Sequence, residues 1–168
     1  MLPWGAELRA DIITEEDANL MKQAHCKGIA TGVESANEKV LKINGKAQRI
    51  AEERKGIVNL KKAGIAVQLF FIIGLPGETK ETFSETLQFI RNLPLNPNKD
   101  KLEFFLPTPY PGADFVEHQE KYGIHILHHN YDIYNCREII LETETLSKSE
   151  IEDLLNQARK LEKMMGFK

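Results

Sequence analysis

The stretch that most restricts the fold of this chain is "AVQLFFII", Ala66 to Ile73, in which Gln68 is the single polar residue. A strand that is apolar at nearly every position is covered on both faces, and such strands belong to parallel sheets whose crossover helices lie over the sheet. "LEFFL", Leu102 to Leu106, has the same character, and Glu7 to Ala10 and Gly28 to Val33 read as two further strands. Parallel neighbours need long crossovers, and the segments between these strands carry helical patterns.

Thr14 precedes "EEDANLMKQAHC", whose acidic start suits the positive end of a helix. Ser35 with Glu38 predicts a capping box. A helix is predicted over about Gln48 to Ala63, ending at Gly64, and Thr79 caps another that runs through Leu93 until Pro94 and Pro97 stop it. Ser147 with Glu150 predicts a further capping box, opening an amphipathic helix that ends near Gly166. The segment "HILHHNYDIYNCREIILETETL" is irregular, with one strand expected at Glu138 to Glu142. Repeated βα units imply an α/β fold with right-handed crossovers and ligands at the carboxyl ends of the strands.

Composition narrows the class. The 168 residues are 42% hydrophobic and 28% charged, which fits one ordinary globular domain with a substantial core. The longest uninterrupted apolar run, Leu69 to Ile73, falls far short of the roughly 20 residues that span a bilayer. No membrane span or signal peptide is expected. Basic and acidic residues number 22 and 25 and are interspersed, so a phosphate-neutralising stripe for nucleic acid is not expected either. Two cysteines, Cys26 and Cys136, make neither a disulfide framework nor a closed zinc site, and a reducing cytoplasm is the expected setting.

In a parallel sheet the chemistry collects just after each strand, here at Arg9 to Asp11, Glu34 and Ser35, Gly74 to Thr79, and Pro107 to Gly112. Ser35 reads as a helix N-cap and Glu34 as a first-turn carboxylate favoured by the helix dipole, which leaves a ligand role for Glu34 open. "GLPGET" lets backbone approach a ligand closely, yet lacks the Lys-Ser/Thr pair of a phosphate-binding loop and equally suits a plain tight turn. "FLPTPYPGAD" is stiffened by Pro107, Pro109 and Pro111, and a rigid backbone can read a flat ring edge or simply shape a loop. His125, His128, His129 and Cys136 have no metal-ligand spacing. No residue earns a catalytic or metal-binding assignment from local pattern alone. Alternation along the third strand places Phe70, Ile72 and Gly74 on the face of Gln68.

"ELRAD", "GVESANEKVLKINGKA", "LKKAGIAVQLFFIIGLPGETKETFSETLQFI" and "FFLPTPYPGADFVEHQEKYG", in this order, resemble the radical SAM superfamily. The likeness is to its cobalamin-binding-domain-associated branch, which includes the anaerobic magnesium-protoporphyrin IX monomethyl ester cyclase type. The resemblance implies a partial (β/α) TIM-like barrel with parallel strands corresponding to barrel strands 3 to 6 and a C-terminal helical tail. Residues 1–123 would form the barrel part and 124–168 an extension with one strand and a helix. It also implies S-adenosylmethionine as cofactor, bound to a [4Fe-4S] cluster held by a C-x-x-x-C-x-x-C loop that this sequence lacks. By this resemblance Glu34 and Ser35 would contact the methionine or ribose part of the cofactor, and Arg9 would face the same site. Gln68, Phe70, Ile72 and Gly74 line the adenine side, and Pro107 and Thr108 read the ring edge.

Three readings follow. The chain is a piece of a radical SAM enzyme, inactive by itself. Alternatively it is a degenerate module that binds a nucleotide-like ligand or a partner, its open sheet edge covered by another chain or a second copy. A third reading is a small doubly wound α/β domain, which strand order separates from a barrel.

Overall fold

The computed structural model describes residues 2–167, and its organising element is the strand that the sequence marks out most clearly. This is β3 (Ala66–Ile72), which pairs in parallel with β2 (Cys26–Glu34) on one side and β4 (Lys101–Phe105) on the other, while β1 (Trp4–Glu7) adds outside β2. The order β1-β2-β3-β4 is sequential and all pairs are parallel, as in a barrel wall. A doubly wound sheet would reverse at a switch point, so that reading is excluded.

The pleat divides the sheet into two faces. Ile29, Thr31 and Val33 of β2, Val67, Leu69 and Phe71 of β3, and Leu102 and Phe104 of β4 are buried. Their apolar members share one core with helix residues such as Ile57, Leu60, Phe83, Ile90 and Leu154. The rings of Phe71 and Phe104 lie 5.5 Å apart within it. On the opposite face Gly32, Glu34, Gln68, Phe70, Ile72, Glu103 and Phe105 are only half-buried, and Phe70 meets Phe105 edge-on at 5.7 Å. Gln68 therefore shares its face with Phe70 and Ile72, as the alternation predicts.

Outside the sheet lie α1 (Glu15–Gln23), α2 (Glu38–Ile43), α3 (Ile50–Lys62) and α4 (Lys80–Arg91). Beyond β4 come two single-turn helices, α5 (Asp114–Glu117) and α6 (Gln119–Tyr122), then an antiparallel pair, β5 (Ile124–Ile126) with β6 (Leu141–Thr143). The chain closes with α7 (Lys148–Met165), whose Ile151, Leu154, Ala158 and Leu161 complete the common core. Thr14, Thr79 and Ser147 all cap their helices through reciprocal boxes, with Asp17, Thr82 and Glu150. Gly64 and Gly166 both take left-handed φ after their helices.

Three local expectations are corrected. The first strand ends at Glu7 rather than beginning there, because Ala10–Ile12 forms a 3₁₀ turn clamped under α3. A side-chain carbon on Gly56 would stand 1.7 Å from Ala10 O, so helix and turn touch backbone to backbone. Ser35 is not a helix cap: Asn37 caps α2, its Oδ1 accepting from the N–H groups of Lys39 and Val40, while Glu38 turns away to accept from the N–H of Ile50. The late strand lies at Leu141–Thr143 and is held by the short β5. Among the described residues no helix is long and apolar enough to cross a membrane.

Candidate functional site

At the carboxyl end of β2 the backbone leaves regular geometry. The register with β3 shifts between Gly32 and Glu34, and Glu34 takes a φ of 64°. A left-handed conformation at a residue bearing a Cβ costs roughly 1–2 kcal/mol, so something must hold it there. Lys46 contributes to that hold: its Nζ lies 2.7 Å from Glu34 Oε1. Gly32 makes room, since a Cβ at that position would come within 2.6 Å of the same oxygen. The buried Ser35 completes the turn through an N–H bond to Val33 O of 2.8 Å.

Lys46 is aimed by the end of α2. The N–H of Lys46 donates to Leu41 O at 2.8 Å and that of Gly45, at φ 71°, to Lys42 O at 3.2 Å. This is the Schellman arrangement, in which a glycine in left-handed geometry ends the helix and fixes the direction of the residue after it. Asn44, one residue earlier, ties the turn to the loop after β3 through its Nδ2 and Pro76 O, 3.0 Å apart.

Two cavities meet at Glu34. One, of about 430 Å³, is walled by Phe70, Ile72, Leu75, Phe105 and Pro107, with Glu7, Glu34, Thr108, Tyr110 and Cys136 as its polar margin. The other, of about 520 Å³, is polar and lined by Arg9, Lys46 and Gln48, and shares Glu7, Gly32 and Glu34 with the first. Leu75 is placed by the "GLPGET" loop, where the Gly74 N–H donates to Glu78 Oε2 at 2.7 Å. Burial pushes the fully enclosed Glu78 carboxyl up to about 8.

Beneath the polar cavity lies a second buried carboxyl. Glu53 Oε1 accepts from Thr31 Oγ1 at 3.1 Å, and Thr31 in turn accepts from the Ala10 N–H at 3.2 Å. Gln48 Nε2 donates to Gly32 O at 3.0 Å and to Glu53 Oε2 at 3.4 Å. Burial, with the nearby Asp11 carboxylate adding to it, raises Glu53 to about 7.

Of the residues singled out in the sequence, Glu34, Phe70, Ile72, Pro107 and Thr108 share the apolar cavity, and Arg9 lines the polar one, bound to Asp11 by a 3.0 Å bond. Gly74 supports the loop. Gln68 lies on the same face but towards the other end of the strand, where it donates to Glu103 and lines a separate recess with Trp4 and Lys101. Ser35 lines neither cavity: its Oγ accepts from the Asn37 N–H at 3.3 Å. Sequence reasoning missed Lys46, Gln48, Phe105, Tyr110 and Cys136. The "NGK" after α2 is a readable signal for Lys46. Cys136 has none, since it arrives from the irregular segment through long-range bonds of its O to the Leu106 N–H and of its Sγ to Thr108 Oγ1.

The donor set does not fit a [4Fe-4S] cluster held by three thiolates. Two cysteines are present, and Cys26 is fully buried at the start of β2, its thiol pushed up by desolvation. The joined cavities do fit a nucleoside carrying a charged tail, with an aromatic and aliphatic floor beside a carboxylate and a lysine.

Known proteins share this fold. Residues 5–90 match the model of the Radical SAM superfamily, more than half of the chain. An uncharacterized methyltransferase of Pyrococcus horikoshii is 28% identical over 157 residues, which cover 94% of this chain and 33% of the relative. The anaerobic magnesium-protoporphyrin IX monomethyl ester cyclase of Rubrivivax gelatinosus is 28% identical over 152 residues, covering 89% and 26%. The chain thus spans a third or less of these relatives' lengths. In fold it resembles the radical SAM methyltransferase TsrM of Kitasatospora setae, with a TM-score of 0.69 at 14% identity over 95% of this chain and 36% of that one. It also resembles the coproporphyrinogen III oxidase of Escherichia coli, with a TM-score of 0.68 at 17% identity over 99% and 33%. With its four parallel strands forming part of a TIM-like barrel, this chain belongs to the radical SAM superfamily.

Proposed function

We propose that this chain supplies the S-adenosylmethionine-binding wall of a radical SAM enzyme, and that the thiolates for the [4Fe-4S] cluster come from other sequence. The single observation that carries the reading is the junction of the two cavities at Glu34. The adenine would lie between Phe70, Ile72, Leu75 and Phe105, where flat apolar area is available. Glu34 would accept from the ribose hydroxyls, at small cost because its side chain keeps 14% exposure. Lys46 and Arg9 face the polar cavity, where a carboxylate tail would be welcome. When bound next to a reduced cluster, this cofactor supplies one-electron chemistry; the residues described here hold it and keep water off the adenine. The outer edge of β1, exposed at all four residues, is where further barrel strands would pair.

The test is binding to the chain as it stands. S-adenosylmethionine should give intermolecular NMR contacts from its adenine protons to the methyls of Ile72 and Leu75, and Glu34→Ala should weaken binding about tenfold, the loss of one charge-assisted bond. Contacts to residues outside the two cavities, or none at millimolar ligand, would refute the assignment.

A further inference from the structure

We infer that Glu53 is the positioning residue of this site: through Gln48 and Thr31 its carboxyl sets the Gly45–Gln48 loop that carries Lys46 to Glu34, and gain or loss of one proton switches that loop between held and loosened. The inference rests on the reading of the cavities as a cofactor site and adds a control to it.

Gln48 spans the gap between the Gly32 carbonyl, next to the bulge that presents Glu34, and the Glu53 carboxyl on α3. Its own Oε1 is buried and has no partner among the described residues. With Glu53 ionised, every available hydrogen of the network is committed and that acceptor stays empty. A proton on Glu53 adds one donor to a buried cluster that holds an empty acceptor, and the carboxyl already touches the Gln48 amide at Nε2.

The surroundings point the same way. Glu53 and Gln48 are both buried, at 0% and 7% exposure. The charged groups facing Glu53 are Asp11 and Arg9, both from the segment leading into and through the 3₁₀ turn, and they are bound to each other. β2 contributes the neutral Thr31 and the loop the neutral Gln48. Among the described residues no cation pairs with Glu53, so its negative form stands in low dielectric beside a second carboxylate. Nε2 has a hydrogen for each acceptor, and on ionisation the Glu53 carboxylate shortens its 3.4 Å bond from Nε2 at the expense of the 3.0 Å bond to Gly32 O, because the charged acceptor pulls harder than a carbonyl. Both anchors of the Glu34–Lys46 pair then shift: the bond at Gly32 that steadies the bulge weakens, and with it the tie of the loop bearing Lys46 to the sheet.

The experiment is an NMR pH titration of the labelled full chain, followed by S-adenosylmethionine binding at about pH 6 and about pH 8.5, either side of the Glu53 transition. The Gln48 side-chain and Lys46 amide signals should titrate with the midpoint of the Glu53 carboxyl, and both should stop moving in Glu53→Gln, which keeps a permanent donor. Should that variant fail to fold, Gln48→Met serves: Glu53 still titrates and Lys46 no longer follows it. Glu78 titrates in the same range beside the Leu75 loop, so the comparison is made in Glu78→Gln: S-adenosylmethionine should bind roughly fivefold more weakly at the higher pH, and equally at both once Glu53→Gln is added. Lys46 signals indifferent to Glu53, or equal affinity of Glu78→Gln at the two pH values, would overturn the inference. If Lys46 follows Glu53 and S-adenosylmethionine binds at neither pH, the loop control stands and the cofactor reading falls.

Discussion

Replacing Gly32 by alanine tests the construction of the site with a single methyl group. The new carbon would sit 2.6 Å from Glu34 Oε1 and 3.2 Å from its Cδ, well inside contact distance. Gly32 has no left-handed φ, so alanine suits its strand backbone and recovers up to about 0.5–1 kcal/mol of chain entropy. The opposing loss is the Glu34–Lys46 pair, about 0.5–1 kcal/mol because Lys46 is 45% exposed. The two nearly cancel, so the melting temperature should move by no more than about 2–4 °C, the shift that 1 kcal/mol gives in a chain of this size. Ligand binding should respond very differently. The carboxylate must swing away from the junction of the cavities, and S-adenosylmethionine affinity should fall about tenfold, as in Glu34→Ala. The assay is a double-mutant cycle of Gly32→Ala with Glu34→Ala, read by calorimetric binding and thermal melts. Once the carboxylate is gone the methyl has nothing to strike, so the double variant should bind like Glu34→Ala alone. Additive losses, or an unimpaired Gly32→Ala, would refute the claim that Gly32 exists to seat Glu34.

Gly56→Ala should be the most damaging small substitution. Its Cβ would overlap the Ala10 backbone at 1.7 Å, and a loss of about 3 kcal/mol or failure to fold is expected in urea denaturation. Asp100→Asn should cost about 3 kcal/mol by the same measurement. Its fully buried carboxylate accepts from the N–H groups of Val67 and Asn96 and neutralises Lys61 at 2.6 Å, and the amide would strand that lysine at 13% exposure. Glu78 and Glu53 have folded values raised above their unfolded ones, to about 8 and about 7, so the folded chain holds more protons than the unfolded one between about 4.5 and 8. Stability should therefore fall as pH rises through that window, by up to about 1.4 kcal/mol per pH unit for each group, and Glu78→Gln should flatten the upper part of the curve in pH-dependent melts. Thiol labelling should show one fast and one slow cysteine, since Cys136 is half-buried at the cavity margin while Cys26 is enclosed and its thiol raised. S-adenosylmethionine should slow the fast one.

The barrel wall was legible because its strands are short apolar runs joined by helices with explicit start and stop residues, and Thr14, Thr79 and Ser147 cap where their side chains predict. The errors fall where tertiary contacts override local pattern. Ser35 and Glu38 have capping-box spacing, yet the left-handed Glu34 turns the chain so that Asn37 takes the cap and Glu38 serves α3. Ala10 looks like the end of a strand because it is apolar, and it is apolar because α3 lies on it at Gly56. Glu34, Phe70 and Ile72 could be placed from strand parity and from position at the carboxyl end of β2. Cys136 and Tyr110 could not, since they meet the site through bonds spanning more than twenty residues.

The Schellman turn after α2 separates direction from chemistry. Gly45 and the carbonyls of Leu41 and Lys42 decide where position 46 points, using main-chain atoms only. The side chain mounted there is free to change while its bearing on the cavity stays fixed. Arginine, glutamine or histidine at that position would be delivered to the same spot without repacking a helix, so this corner works as an interchangeable tool-holder for retuning the chemistry of this wall of the barrel.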